Sequence, residues 1–418
     1  MNNWRNANAS ALKYVAALLA WAAAGALAAG PSVGNTPENL AGEQAIHQPS
    51  AGQAGGDAVR ESKTLAPARL HERTRLLEAG EAALAGLDTP AALNAFERAG
   101  LILHAADTEI SLVRGYMQAG DYRRALAFGA HTAGAHLDVT GGALLYAWLL
   151  HAGGQPAIAQ RLLSGTEAHS PESPLLVAVQ QQLRSGAPRA IGRLLAPPAR
   201  LAPYGEKNGL PATARVVGSA VLLPGGGAAL VPLGLLPRSG RLWLRNGLGQ
   251  LAKARVEKRL AAMGVALVRL ERPLPVSKEF QVAARDAFPG SAGFAVEYVS
   301  APDAEPAWPV LRTGFLGSAS GDSGARLLGI DMPAGPRGGP VFDGAGQLIG
   351  IALPGVPGKG GDRLVLVSQL IKALGAGLVA GQATAQNSPA PAGPKPREPV
   401  DKIYESSLRA TLQVITAH

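Results

Sequence analysis

The chain has 418 residues, a formal charge of +9 and no cysteine. That length accommodates two or three domains, and 47% hydrophobic with 17% charged residues fits globular protein rather than disorder. The missing thiols exclude disulfides, thiolate catalysis and cysteine-based zinc sites; the basic residues are dispersed without interleaved aromatics, which argues against nucleic acid.

The first 30 residues read as a signal peptide or membrane anchor. Arg5 and Lys13 precede an uncharged apolar run over 14–30, which closes on Ala26-Leu27-Ala28, a small-x-small pattern with cleavage expected after Ala28. The alternative is an uncleaved anchor through residues 14–29, although ~20 apolar residues are the usual length of a span. Either way the chain is expected to cross the inner membrane and work in the periplasm or on the envelope. Residues 31–65 and 379–400 are rich in Gly, Pro, Ala and small polar residues and read as flexible linkers.

From 66 to 185 the apolar residues recur at helical spacing. The pattern also repeats: Gly120 to Gly154 and Ala125 to Ala159 are each 34 residues apart. First helices are expected near 70–85, 108–118 and 141–151, and second helices near 89–104, 122–136 and 156–168. A capping helix is expected near 173–184. A turn glycine followed by an Ala-x3-bulky helix at this period resembles the tetratricopeptide repeat. That resemblance implies an all-α solenoid that holds a protein or peptide ligand, with the helices near 108–118 and 141–151 as its contact face. A generic helical bundle is the other reading, because the repeat's Trp and Tyr positions are poorly kept.

His104, His131, His136, His151 and His169 fall in this region. His131 and His136 are five apart and do not share a helical face as an i,i+4 pair would. No HExxH motif accompanies them, so they are expected to be surface histidines, with no metal and no cofactor.

Past residue 200 the period becomes that of strands. VVGSAVLLP, AALVPLG, RLWLR, VALVRLE, FAVEYVS, RLLGIDM and QLIGIAL are short β-rich runs broken by Gly and Pro. The order of motifs from about 212 to 377 resembles the trypsin-like serine proteases, in particular their periplasmic HtrA-like branch. Gly218-Ser219-Ala220-Val221 is similar to that family's opening strand. The run from Ala228 sits where the family has L-T-N-A-H-V-V, and the run from Gly264 where it has D-L-A-L-L-R-L. IDMPAGPRGGPVFDGAGQLIGI, from Ile330, overlays T-D-x-x-x-x-G-N-S-G-G-P-L, and LVLVSQLIKAL matches the closing strand and helix. The resemblance implies an all-β double barrel over 200–378.

It also places the triad. The histidine position falls on Gly234, the aspartate position on Gly264 and the serine position on Arg337. No histidine occurs from 170 to 417. A serine needs a base within hydrogen-bond reach, and a guanidinium cannot accept a proton. The resemblance therefore implies a pseudoprotease. Gly335, Gly338 and Gly339 would keep the backbone path of the former oxyanion loop. Arg337 either projects into the old cleft and closes it, or binds a carboxylate ligand there, or stands in solvent.

One enzymatic alternative remains. Gly321-Asp322-Ser323-Gly324 spells the trypsin nucleophile tetrapeptide, but Ala325-Arg326 follows where Gly-Pro is needed. Ser323 has no S-x-x-K spacing to any of the barrel region's lysines, so a polar turn is expected. The last segment, 401–418, contains Leu408-Arg-Ala-Thr-x-Gln-Val-Ile, an echo of Leu210-Pro-Ala-Thr-x-Arg-Val-Val. The echo is read as chance, as the start of a lost second barrel, or as a strand or helix that docks on a partner. The reading as a whole is an exported interaction or scaffolding protein. An active serine endopeptidase using Ser323, or a structural subunit of an envelope complex, is the alternative.

Overall fold

A computed structural model describes residues 65–184, 200–238, 240–278, 280–320, 325–332, 335, 337–355, 361–375 and 396–417. The signal segment, Ala28 and Ser323 with its GDSG tetrapeptide lie outside the described residues. Among the described residues, no helix is long and apolar enough to cross a membrane.

The alanine-rich region folds into α1 (Pro67–Ala85), α2 (Thr89–Gly100), α3 (Ala106–Ala119), α4 (Tyr122–Ala135), α5 (Thr140–Ala152), α6 (Pro156–His169) and α7 (Pro174–Arg184). Local chemistry sets the ends. Proline occupies the first turn of α1, α2 and α6, where its missing N–H costs nothing. The Asp88 carboxylate accepts from the Ala91 amide at 3.1 Å and caps α2. Gly120, at φ 79°, closes α3 in the left-handed conformation. Each helix packs on the next from α1 to α6, and α7 packs on both α5 and α6.

The β-rich half has two bodies. β1 (Arg215–Leu222), β2 (Ala228–Pro232), β3 (Arg241–Asn246), β4 (Leu251–Leu260) and β5 (Val265–Leu270) belong to the first. The second contains β6 (Gln281–Val282), β7 (Ala292–Glu297), β8 (Val310–Phe315), β9 (Ala319–Ser320), β10 (Ala325–Leu327), β11 (Pro340–Phe342), β12 (Gln347–Leu353) and β13 (Arg363–Leu366). Helix α8 (Val367–Leu374) follows, and the chain returns through α9 (Val400–Ala410) and β14 (Thr411–Ala417).

The first body is a closed barrel, with neighbours β1-β14-β3-β4-β5-β2. Ala220, Leu222, Val231, Leu244, Val268, Leu412 and Val414 fill it, and the period-2 pattern of these strands turns them to one side. The second is a sheet in the order β8-β7-β11-β12-β13-β10-β9, with β6 beside β12. It curls back on itself. The Phe315 amide donates to the Gly329 carbonyl at 3.1 Å, and the Gly317 amide to the Leu327 carbonyl at 3.1 Å. The expected pair of barrels is therefore one closed barrel and one sheet bent toward closure.

The barrel does not end at 378. The segment 401–418, set apart above as an isolated tail, supplies α9 and the strand between β1 and β3. Leu412 stands opposite Ala220 in β1 and Asn246 in β3. The C-terminal ends of the two similar stretches are thus neighbours in one sheet, Val216 opposite Ile415, and the tail docks on its own chain. Without β14, both β1 and β3 would present unpaired edges.

The helices and the barrel share a continuous apolar cluster running from Leu84 in α1 through Trp148 and Trp308 to Ala410. Polar contacts fix the join. The Gln118 side-chain amide donates to the Leu248 carbonyl at 2.6 Å and accepts from the Tyr204 amide at 2.9 Å. Arg409 donates to the Ala119 carbonyl at 2.7 Å, and the Tyr122 and Tyr404 rings meet edge-on at 4.5 Å. Gly154, at φ 85°, lies so near β8 that a Cβ would come within 2.6 Å of the Leu311 side chain. Helices α3 and α5, expected to present the ligand face, are instead the most buried of the array. Their apolar residues run almost all round, and such a helix needs cover on every side.

Candidate functional site

The three positions that the resemblance assigns to the triad, Gly234, Gly264 and Arg337, lie in segments that approach one another where the barrel adjoins the second sheet. Gly234 sits in a single 3-10 turn that follows β2. Gly264 precedes β5 in the left-handed conformation, φ 75°. The Leu233 amide donates to the Gly264 carbonyl at 2.9 Å, which holds these two segments together. A Cβ at Gly264 would lie 3.2 Å from Arg363, the neighbour of Asp362. Asp362 in turn receives Arg337, whose Nε donates to Asp362 Oδ2 at 2.7 Å. The guanidinium also donates to the Gly335 carbonyl at 2.7 Å. Arg337 is only 8% exposed, so it does not stand in solvent. The carboxylate it meets is internal.

The glycines beside it have backbone reasons to be glycine. Gly338 has φ 138°, and a Cβ there would lie 2.1 Å from the Ser219 carbonyl oxygen. A Cβ on Gly339 would lie 1.9 Å from the Val296 carbonyl oxygen. The loop is threaded between β1 and β7, and a side chain at either position would force them apart.

The loop amides are already engaged. Those of Gly338 and Gly339 donate to Glu297 Oε1 at 3.2 and 2.9 Å. Glu297 ends β7 and is buried. Burial pushes its carboxyl up to about 7, against the opposing pull of Ser219, the two amides and the Arg337 charge. An anion-binding curl of backbone is thus filled by a side chain of the same molecule. Neither Glu297 nor Asp362 was identified from the sequence. A lone Glu in FAVEYVS and a lone Asp in a glycine-rich turn give no sign of partners 41 and 25 residues away.

The groups around the loop are a guanidinium, an ion-paired carboxylate and a buried carboxyl. Ser219 is fully buried, and its oxygen accepts from the Tyr298 amide at 2.7 Å.

A second polar cluster lies among the helices and corrects the expectation of dispersed surface histidines. Glu109, in the first turn of α3, is 5% exposed. His104 Nε2 lies 2.5 Å and His131 Nε2 3.3 Å from its Oε1, and His136 Nε2 lies 3.3 Å from its Oε2. Burial alone would raise the Glu109 carboxyl. The three imidazoles, His104 foremost, outweigh it and hold the group well below the usual carboxylate range. The five-residue spacing misled because α4 ends at Ala135. His136 has φ −120° and ψ 65°, off the helix, and so reaches the face that His131 occupies. Elsewhere, burial and the charge of Arg312 on β8 lower the His151 imidazole to about 4.

No family model and no curated relative matches the chain. A solved structure does. It is the protease domain of MamO from Magnetospirillum magneticum in its apo form, 19% identical, with a TM-score of 0.28 over 39% of this chain and 96% of that one.

Proposed function

We propose that the chain is an exported, non-catalytic protein of trypsin-like fold, a pseudoprotease fused to tetratricopeptide-like helices, that binds protein and scaffolds it at the cell envelope. The observation that carries this reading is the seating of Arg337. A permanent cation, buried and ion-paired to Asp362, stands at the position that corresponds to the nucleophile. Two further facts support it. The Gly338 and Gly339 amides that an oxyanion would need are occupied by Glu297. No imidazole belongs to residues 170–417.

Because α3 and α5 are covered by the chain itself, we read the ligand face as the outer edge of the array. Leu101 and Leu137, in the turns after α2 and α4, Ile158 on α6 and Val177 on α7 are exposed there, at 66%, 62%, 41% and 55%. Residues 14–29 supply export and, if retained, membrane attachment.

The test has two arms. Purified full-length protein is incubated with a fluorophosphonate serine probe and with casein. The expected results are no label and no cleavage; label that disappears in Ser323→Ala would establish the endopeptidase reading instead. Envelope extracts are then crosslinked with the wild type and with a Leu101→Glu, Leu137→Glu variant. A defined partner lost in the variant supports the binding reading, and an unchanged pattern removes this edge of the array as its surface.

A further inference from the structure

The helical half brings three imidazoles onto one buried carboxylate, and the barrel reading makes no use of them. His104 lies in the α2–α3 connection, Glu109 in the first turn of α3, and His131 and His136 at the end of α4. The side chains come from two consecutive helix pairs, so the packing of the array assembles them.

Three features separate this cluster from a surface ion pair. The first is composition: nitrogen and oxygen donors of the kind that bind first-row divalent cations, without cysteine. The second is spacing. Donor atoms of His104, Glu109 and His136 all lie within 4.8 Å of one another. Bonds of ~2.0–2.1 Å in tetrahedral geometry set neighbouring ligand atoms about 3.3 Å apart. His136 Nε2 to Glu109 Oε2 is 3.3 Å. His104 Nε2, at 2.5 Å from Oε1, reaches that separation by a small outward movement.

The third feature is an unmet need. His136 is 2% exposed, and neither its Nε2 nor Glu109 Oε2 has an aligned hydrogen bond among the described residues. Buried polar atoms in that state are costly, and a cation between them satisfies both. Imidazole binds a divalent ion through the lone pair of its unprotonated ring nitrogen.

We propose that His104, Glu109 and His136 form a binding site for a first-row divalent metal ion, of which Zn2+ is the best fit. His131, 3.3 Å from Glu109 Oε1, holds the carboxylate in position. The His104 side chain is 37% exposed and forms the way in. The ion ties the α2–α3 connection to the end of α4 and so braces two adjacent helix pairs. The inference is independent of whether the barrel is catalytic.

The experiment uses the full chain, stripped with chelator and dialysed metal-free. Zn2+ binding is measured by equilibrium dialysis with elemental analysis, Co2+ by its visible d–d absorption, and unfolding with and without Zn2+. The expected results are one ion bound with micromolar or tighter affinity, a Co2+ spectrum that Zn2+ abolishes, and a higher Tm with Zn2+. His104→Ala, at the half-exposed ligand, should fold normally and weaken binding at least tenfold. His169→Ala, in the same array but outside the cluster, should bind as the wild type does. No Co2+ absorption, or binding equal in His104→Ala and the wild type, would overturn the site. Should Glu109→Gln fail to fold, the His104 variant still decides the question.

Discussion

Arg337 and Asp362 form an ion pair of 2.7 Å that lies between the barrel and the second sheet. Both groups are largely buried, so each charge depends on the other for its partner.

Restoring a serine does not restore an enzyme. Arg337→Ser places a hydroxyl on the loop, but no imidazole accompanies it, and the Gly338 and Gly339 amides remain on Glu297. Fluorophosphonate labelling should stay at background. Loss of the guanidinium strands the half-buried Asp362 carboxylate and should cost about 3 kcal/mol, read by urea unfolding. Stoichiometric labelling of the variant would show that a base lies within reach.

Glu297 makes stability depend on pH. Its folded pKa, about 7, is above the ordinary 4.5, so the folded state holds a proton that the unfolded state releases between these values. Its contribution is fully present below pH 4.5 and is lost as pH rises through 7. The whole span corresponds to about 3 kcal/mol. Glu297→Gln keeps an acceptor for the two amides and removes the titration. The difference in unfolding free energy between wild type and variant should shift steadily in the variant's favour from pH 4.5 to 7 and then level off. A pH-independent difference would assign the carboxyl an ordinary pKa.

The C-terminal strand is obligatory. A chain ending at residue 395 lacks α9 and β14, opens the barrel between β1 and β3, and uncovers Leu244 and Ala220. It should lose near-UV circular dichroism and aggregate. A soluble, cooperatively folding truncation would show that β1 and β3 pair directly.

Gln118 should contribute measurably to the join between α3 and the barrel. Gln118→Leu leaves the Leu248 carbonyl and the Tyr204 amide without their side-chain partner. Unpaired buried groups cost ~1–3 kcal/mol each, so a loss of about 2–4 kcal/mol is expected in chemical denaturation. A change below about 0.5 kcal/mol would mean that water takes over both bonds.

Helices and strands were legible because their patterns are local. The 34-residue recurrence marked six paired helices and a cap, and their observed bounds agree closely with that reading. Short β-branched runs broken by Gly and Pro marked the strands. The block from Ile330 to Ile351 also located the loop and its arginine. Its partners were not legible. Glu297 and Asp362 are single acids with no periodic or motif signal, and only threading of the loop between β1 and β7 brings them to it. The histidines were visible as residues but not as a cluster, since their meeting depends on where α4 stops.

The tail gives the same lesson. Its resemblance to the stretch before β1 is in the sequence, but adjacency is not: pairing Val216 with Ile415 joins residues almost 200 apart. By itself the sequence determined the period of each half, the absence of histidine from 170 to 417, and a fixed cation at residue 337, because propensity and charge reside in single residues. The tertiary structure decided which carboxylate that cation meets, which acid occupies the loop amides, and which strand closes the barrel. Those outcomes depend on contacts between segments far apart in the chain, selected by burial and by the requirement that buried polar groups find partners.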